Sequence, residues 1–517
     1  MNLAILHYHL NRGGVTRVIE NQLEALDAVL EPGQRHRVAV IYGGRHKGFN
    51  EQLPKRLKTL QVGLHPLPSL DYDQQSDDRG GSESLSDDLA ALLEQLGFAP
   101  HDTLLHVHNH ALGKNVALPT ALRRLAGDGF ALLLQTHDFP EDFRPDNYRR
   151  LLQSGLAQAA GPSAVLYPQA PHVHYAVLNG RDEAILSSAG VPTERLHRLP
   201  NPVPKMDDLP SKAHARRRLA ERFGVAEHER FVLYPVRCIR RKNVGEALLY
   251  AALAPPATVV GLTLPPLNPQ EVPGYESWRR LAAELELPCR FDVGAPGGLS
   301  LPENLAAADL ILTTSLAEGF GMVFLEAWLA GRPLLGRDLP EITRDFTDVG
   351  LRLDRLRPRL AVPVDWLGVD LLRQTILAAY RRTLEAYGRQ QPQDLDRRFE
   401  AKIEQGTFDF GDLDETLQQA VLRAVRTDDD RRRRLLQGNP WIGEAMSIDD
   451  QNASDLIRQN VSIIKEHYGH EPSGRRLLRL YRQVSVSRRG DVSETLFNGE
   501  RILDAFLDFA RFRPIRS

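Results

Sequence analysis

Cysteine is nearly absent: the 517 residues hold two, Cys238 and Cys289, far apart and outside any CxxC pair. That excludes a disulfide framework and a thiolate zinc site. An excess of charge of either sign is also missing. With 65 basic and 67 acidic residues, the formal net charge is −2. Such a balance does not call for nucleic acid or a membrane surface as the main partner. Long uncharged apolar runs are lacking too, so no membrane span is expected. The opening MNLAILHYHLNRGG has neither a basic start nor a cleavage site, and it reads as a first strand rather than a signal peptide. A cytoplasmic location is the expectation that follows. No internal repeat is visible.

What is present is an ordinary core composition. Hydrophobic residues make up 42%, as in globular chains. The length is too great for one core and points to two large domains. In the first half, apolar runs predict strands at Asn2–His7, Arg37–Tyr42, Asp102–Val107, Ala131–Gln135 and Tyr175–Leu178. A helical pattern covers Val15–Leu30. The polar, acidic stretch Asp71–Asp88 reads as a surface insertion or mobile loop. Leu199–Pro210 holds four prolines and reads as a linker.

The alternation then restarts. Strands are expected at Phe231–Pro235, Thr258–Val260, Arg290–Val293, Asp309–Thr314 and Pro333–Leu335, with helices at Asn243–Leu253, Tyr275–Leu285 and Met322–Ala330. Strands alternating with helices imply parallel sheets covered on both faces. After about residue 367 strand signals stop. Leu371–Tyr387, Asp412–Arg426 and Ala453–Tyr468 read as helices. The expected division is therefore 1–200, 206–368 and a helical extension over 369–517. The charge block DDDRRRR at 428–434 reads as a solvated helix end with internal ion pairs, or as a basic patch.

Four constellations carry chemistry. In AEGFGMVFLEAWLA, Glu318 ends a strand-to-loop step, Gly319 and Gly321 flank Phe320, and Glu326 lies eight residues on in the next helix. Ligands of open α/β sheets bind outside the carboxyl ends of strands. Two carboxylates there suit the hydroxyls of a phosphorylated polyol, although an ordinary helix with a surface glutamate would show the same spacing. In YPVRCIRRKN, Arg237 and Lys242 follow a strand, where two cations can hold a diphosphate. Plain surface charge, shared with Arg240 and Arg241, fits equally. In NRGGVTRV, Gly13 and Gly14 open the first helix, a turn that a ligand can approach. Neither a dinucleotide fingerprint nor a P-loop is present. Finally, His106, His108 and His110 alternate in LHVHNH, and His137 precedes Asp138 in QTHDF. The three would share one face if the strand continued. They fit a polar cleft lining better than a metal site, because no second ligand cluster accompanies them.

NRGGVTRV, HVHN, THD, LPNPV, the R-x4-K at 237–242 and the E-x7-E at 318–326 occur in one order. That ordered set, over roughly residues 1–350, resembles the retaining GT-B glycosyltransferases of family 4. The resemblance implies two Rossmann-like, doubly wound domains facing a cleft, here with a helical C-terminal extension. It implies a UDP-, GDP- or ADP-sugar donor held mainly by the second domain, and a hydroxyl acceptor held mainly by the first. Arg237 and Lys242 would hold the diphosphate, Glu326 the ribose, and Glu318 the sugar hydroxyls with the Gly319–Gly321 backbone. Gly13 and Gly14 would lie near the diphosphate and acceptor, and His137 would line the sugar pocket. Retention would follow a front-face course in which the leaving phosphate deprotonates the acceptor, with no metal or other cofactor required. A helix of the extension would cross back to the first domain.

One segment departs from the pattern. GRDLPEIT at 336–343 replaces a small-residue, Gly-Gly stretch, and Glu341 and Arg344 are candidates for that side of the pocket. Within the same frame a sugar phosphorylase or a non-catalytic regulatory subunit stays open. The acceptor also stays open: a glycerate, another sugar, a polysaccharide end, a lipid-linked glycan or a protein.

Overall fold

The computed structural model describes residues 2–31, 33, 35–73, 82–154, 162–206, 208–446, 450–492 and 496–516. It divides into two units. The first is Met1–Pro204 with Lys465–Asp508, and the second is Lys205–Ile464 with Phe509–Ser517.

Runs such as Leu3–Leu6 and Leu132–Leu134 are apolar at every position and fully buried, as strands covered on both faces must be. Among the described residues the first unit's sheet has the order β3-β2-β1-β4-β5-β6-β7, with all pairings parallel. Its strands are β1 (Asn2–His7), β2 (His36–Tyr42), β3 (Leu60–Pro66), β4 (Thr103–His108), β5 (Ala131–Thr136), β6 (Val173–Val177) and β7 (Leu196–Arg198). The second unit repeats the scheme as β10-β9-β8-β11-β12-β13. These are β8 (Arg230–Arg237), β9 (Thr258–Leu264), β10 (Cys289–Arg290), β11 (Leu310–Thr313), β12 (Leu334–Arg337) and β13 (Leu356–Arg357). In both sheets the strand order reverses beside the first strand of the unit, β1 or β8. That is the switch point where open α/β sheets bind ligands.

Two expectations need correction. The acidic stretch 71–88 is not an insertion loop where it is described. Residues 74–81 lie outside the described residues, but Asp71 is buried and paired with Arg45. From Ser82 a helix runs to Gln95. Leu85, Leu89 and Leu93, four apart, bury one side of it in the first core. The region beyond 367 is not purely helical either. Thr407–Asp409 forms β15, antiparallel to β14 (Ala361–Pro363).

The helical segments after 369 divide between the units. His470–Ser485 belongs to the first. Its residues Leu477, Leu480, Tyr481 and Val484 share a core with Ile19, Leu23 and Leu26 of the helix Gly14–Asp27. Gly474 permits that crossing, since a Cβ there would sit 1.9 Å from the Ala25 carbonyl oxygen. Phe509 and Phe512 return to the second unit and pack on Tyr380. The charge block is a capped helix start. Asp428 accepts from the Asp430 and Arg431 amides, and Arg433 pairs with Asp430.

Candidate functional site

In the second unit the loops after β8 and β11 meet beyond the strand ends. β8 stops at Arg237, and a short 3-10 turn carries Arg240–Lys242. The Lys242 carbonyl is pinned twice. It accepts from the Tyr234 hydroxyl at 2.7 Å and from the Thr314 hydroxyl at 3.0 Å. After β11 the chain reaches Glu318, which is buried. Its carboxylate pairs with the Lys242 ammonium and, at 3.0 Å, with the Arg241 guanidinium. Burial alone would raise this carboxyl. Lys242 and then Arg241 outweigh burial and hold it at about 2.

Two half-buried cations and one buried carboxylate thus form a group with excess positive charge at a sheet's carboxyl edge. Such a group attracts an anion and offers hydrogen bonds to hydroxyls. Lys242 and Glu318 were both read from the sequence, and the structure joins them. Arg241 was missed. Beside Arg240 it looked like surface charge, and side-chain direction in a 3-10 turn has no periodic signature. Arg237 lies at the end of β8 and donates to the Pro265 carbonyl at 2.8 Å.

Glu326 sits half-buried in the first turn of the helix Val323–Leu329. The loop before it needs Gly321, whose φ is +83°. Phe320, between the two glycines, is a core residue packed edge-on against Phe346. Glu341 turns to Arg511 at 2.6 Å, and Arg344 lies in the same helix, Pro340–Thr347.

The GRDLPEIT segment hides a further residue. Arg337 is 3% exposed. It bridges Glu246 at 2.6 Å and Asp409 at 2.8 Å. Gly336 before it has φ +127°, and a Cβ would sit 1.9 Å from the Thr313 carbonyl oxygen.

His137, Gly13 and Gly14 belong to the first unit. Gly13 precedes the helix Gly14–Asp27 in extended backbone. A Cβ on Gly14 would meet nothing within 4 Å, so protein packing does not demand glycine there. His106 and His108 share a face of β4, with ring centroids 4.4 Å apart. His110 does not join them. The strand ends at His108, Asn109 takes φ +58°, and His110 instead meets the Leu166 carbonyl at 2.7 Å. His137 is buried and faces His108, Nε2 to Nδ1, at 2.8 Å. Burial holds His137 near 4 and His106 near 3, and it also lowers His108. These rings are neutral at ordinary pH. Among the described residues no group of His, Cys, Asp or Glu is placed to hold a metal ion. No described helix is long and apolar enough to cross a membrane.

The sequence matches no protein-family model. Mannosylglucosyl-3-phosphoglycerate synthase of Petrotoga mobilis is 28% identical over 362 residues, 67% of this chain and 67% of that protein. Among solved structures, Anabaena HepE in complex with UDP and glucose matches with a TM-score of 0.53 at 14% identity, over 93% of this chain and 99% of that one. Sucrose-phosphate synthase from Thermosynechococcus elongatus matches with a TM-score of 0.54 at 17% identity, over 94% and 99%.

The chain has the GT-B fold. Both sheets have the doubly wound order expected from the sequence. The group Lys242–Glu318–Arg241 stands at the switch point of the second sheet.

Proposed function

We propose that the enzyme is a retaining transferase of family 4 type. It moves a sugar from a nucleoside-diphosphate sugar to a hydroxyl of a small acidic acceptor, forming an α-glycosidic bond. The observation that carries this reading is the buried ionised Glu318 between Lys242 and Arg241. The donor diphosphate lies against Lys242, Arg241 and Arg237. Their charge offsets the negative charge that builds on the leaving diphosphate, the part a metal ion plays elsewhere. Glu318 accepts hydrogen bonds from the sugar hydroxyls beside the Gly319–Gly321 backbone, and Glu326 from the ribose. Gly13 and Gly14 let ligand approach the first helix closely. His137, neutral, takes part by hydrogen bonding and not by charge.

The named product of the Petrotoga relative supports an acceptor of the phosphoglycerate class. The UDP in HepE makes uridine the first base to try. Thermal unfolding with UDP, GDP, ADP and phosphate identifies the base. Transfer is then assayed on 3-phosphoglycerate with and without a glucosyl group. Glu318→Gln and Lys242→Ala are expected to lower kcat/KM by about 10²–10³ with the fold intact. Full activity in both variants would sink the proposal. Stabilisation by phosphate alone would favour a phosphorylase.

A further inference from the structure

We infer that Gln418 is a positioning residue for the donor group, acting through Asn243 on Lys242. The inference rests on the donor reading above. Asn243 directly follows Lys242 and takes φ 51° and ψ 59°, the left-handed region that most side chains avoid. It stands at the N-cap of the helix Val244–Leu253, where an asparagine side chain ordinarily accepts from a backbone amide of the first turn. Here the side chain makes no such bond. It is held elsewhere. Its Oδ1 accepts from Gln418 Nε2 at 2.9 Å, and its Nδ2 donates to Glu246 Oε2 at 2.7 Å.

Both holders are locked in turn. Gln418 is fully buried and also donates to the Phe410 carbonyl at 3.1 Å. Glu246 is bound by Arg337, and Arg337 by Asp409, the residue before Phe410. The ring of bonds closes on itself. Close packing tightens it, because a Cβ on Gly245 would fall 2.3 Å from Gln418 Oε1. Opposite, Tyr234 and Thr314 grip the Lys242 carbonyl. The Lys242 backbone is therefore fixed from two sides, and Gln418 supplies one of them. Without that donor, the Asn243 side chain is released to cap the helix. The turn then relaxes, and the ammonium loses its aim at Glu318.

The test uses the full chain with UDP as probe. Wild type is measured first by calorimetry, with GDP and ADP replacing UDP if UDP does not bind, and absence of binding by all three overturns the donor reading and this inference with it. Given wild-type binding, Gln418→Met keeps the length and removes the donor. It is expected to weaken UDP binding and raise the donor KM about tenfold or more, with the acceptor KM unchanged. Asn243→Gly keeps the left-handed backbone and deletes the held side chain, and the same loss is expected. In the double variant the losses should not add, because both act through one contact. Wild-type UDP affinity in folded Gln418→Met, or additive losses, would overturn the inference and leave the donor reading standing. Should Gln418→Met fail to fold, Asn243→Gly alone decides, and unchanged UDP affinity there overturns it.

Discussion

Glu318 and Glu141 are both buried carboxyls, and their surroundings drive them in opposite directions. At Glu318, two cations overcome burial and hold the group near 2. Its contribution to stability is present above the ordinary carboxylate value and is lost as pH falls toward 2. At Glu141, burial dominates. The Tyr167 hydroxyl at 3.2 Å and the charge of Arg144 are too weak to offset it, and the group rises to about 7. A raised carboxyl has the reverse sign. Its contribution is present below the ordinary value and is lost as pH rises through about 7. Glu141→Gln keeps an acceptor for Tyr167 and removes the charge. Relative to wild type, it is expected to gain on the order of 1–3 kcal/mol between pH 5 and pH 9. Thermal unfolding of both proteins across that range checks it. Parallel pH profiles would show that Glu141 is not the titrating group. Lys242 and Glu318 were legible because each follows a strand in a recognisable order. Gln418 was not, since nothing local tells which side chain of a remote helix will meet Asn243.

At the scale of elements, strands with apolar residues at every position were easily read, and short edge strands were not. β7 and β13, of three and two residues, gave no signal, and β10 at Cys289–Arg290 begins one residue before the strand expected at Arg290–Val293. β3 was missed because its face is only half-covered. The helix Ser82–Gln95 was hidden by polar residues around a three-leucine stripe. In the loop between β11 and the helix Val323–Leu329, the backbone itself requires glycine at Gly321. Its φ of +83° disfavours any side chain, and a Cβ would lie 2.5 Å from a Phe324 ring carbon. Gly321→Ala is expected to cost about 1–3 kcal/mol of stability and to displace the turn that carries Glu326. UDP affinity should fall with it. A variant that melts and binds UDP as wild type does would show that the turn tolerates a Cβ.

For the whole molecule, the sequence suggested a helical extension after residue 369 with one helix crossing back to the first domain. The chain passes from the first unit to the second after Pro204, back after Ile464, and again to the second after Asp508, a second return that had no signal. Periodicity shows that a helix has an apolar face, but the face it meets belongs to another part of the chain. The last segment is bound into the second unit at several points. Phe509 and Phe512 pack on Tyr380, with ring centroids 4.9 and 5.0 Å away. Arg511 pairs with Glu341 at 2.6 Å, and Arg513 with Asp412 at 2.7 Å. The turn Pro514–Arg516 packs against Arg240–Lys242, so the tail supports the same 3-10 turn that carries the cations. Each large apolar side chain buried here contributes roughly 1.5–3 kcal/mol, enough for the tail to order its surroundings. Deleting the chain from Phe509 onward is therefore expected to speed hydrogen exchange at 240–244, 340–347 and 376–384. Exchange in the helix Gly14–Asp27 of the first unit should not change. UDP affinity should fall in parallel, because the turn that aims Lys242 loses its backing. Unchanged exchange at 240–244 in the shortened chain would mean that Tyr234, Thr314 and Gln418 hold the turn without the tail.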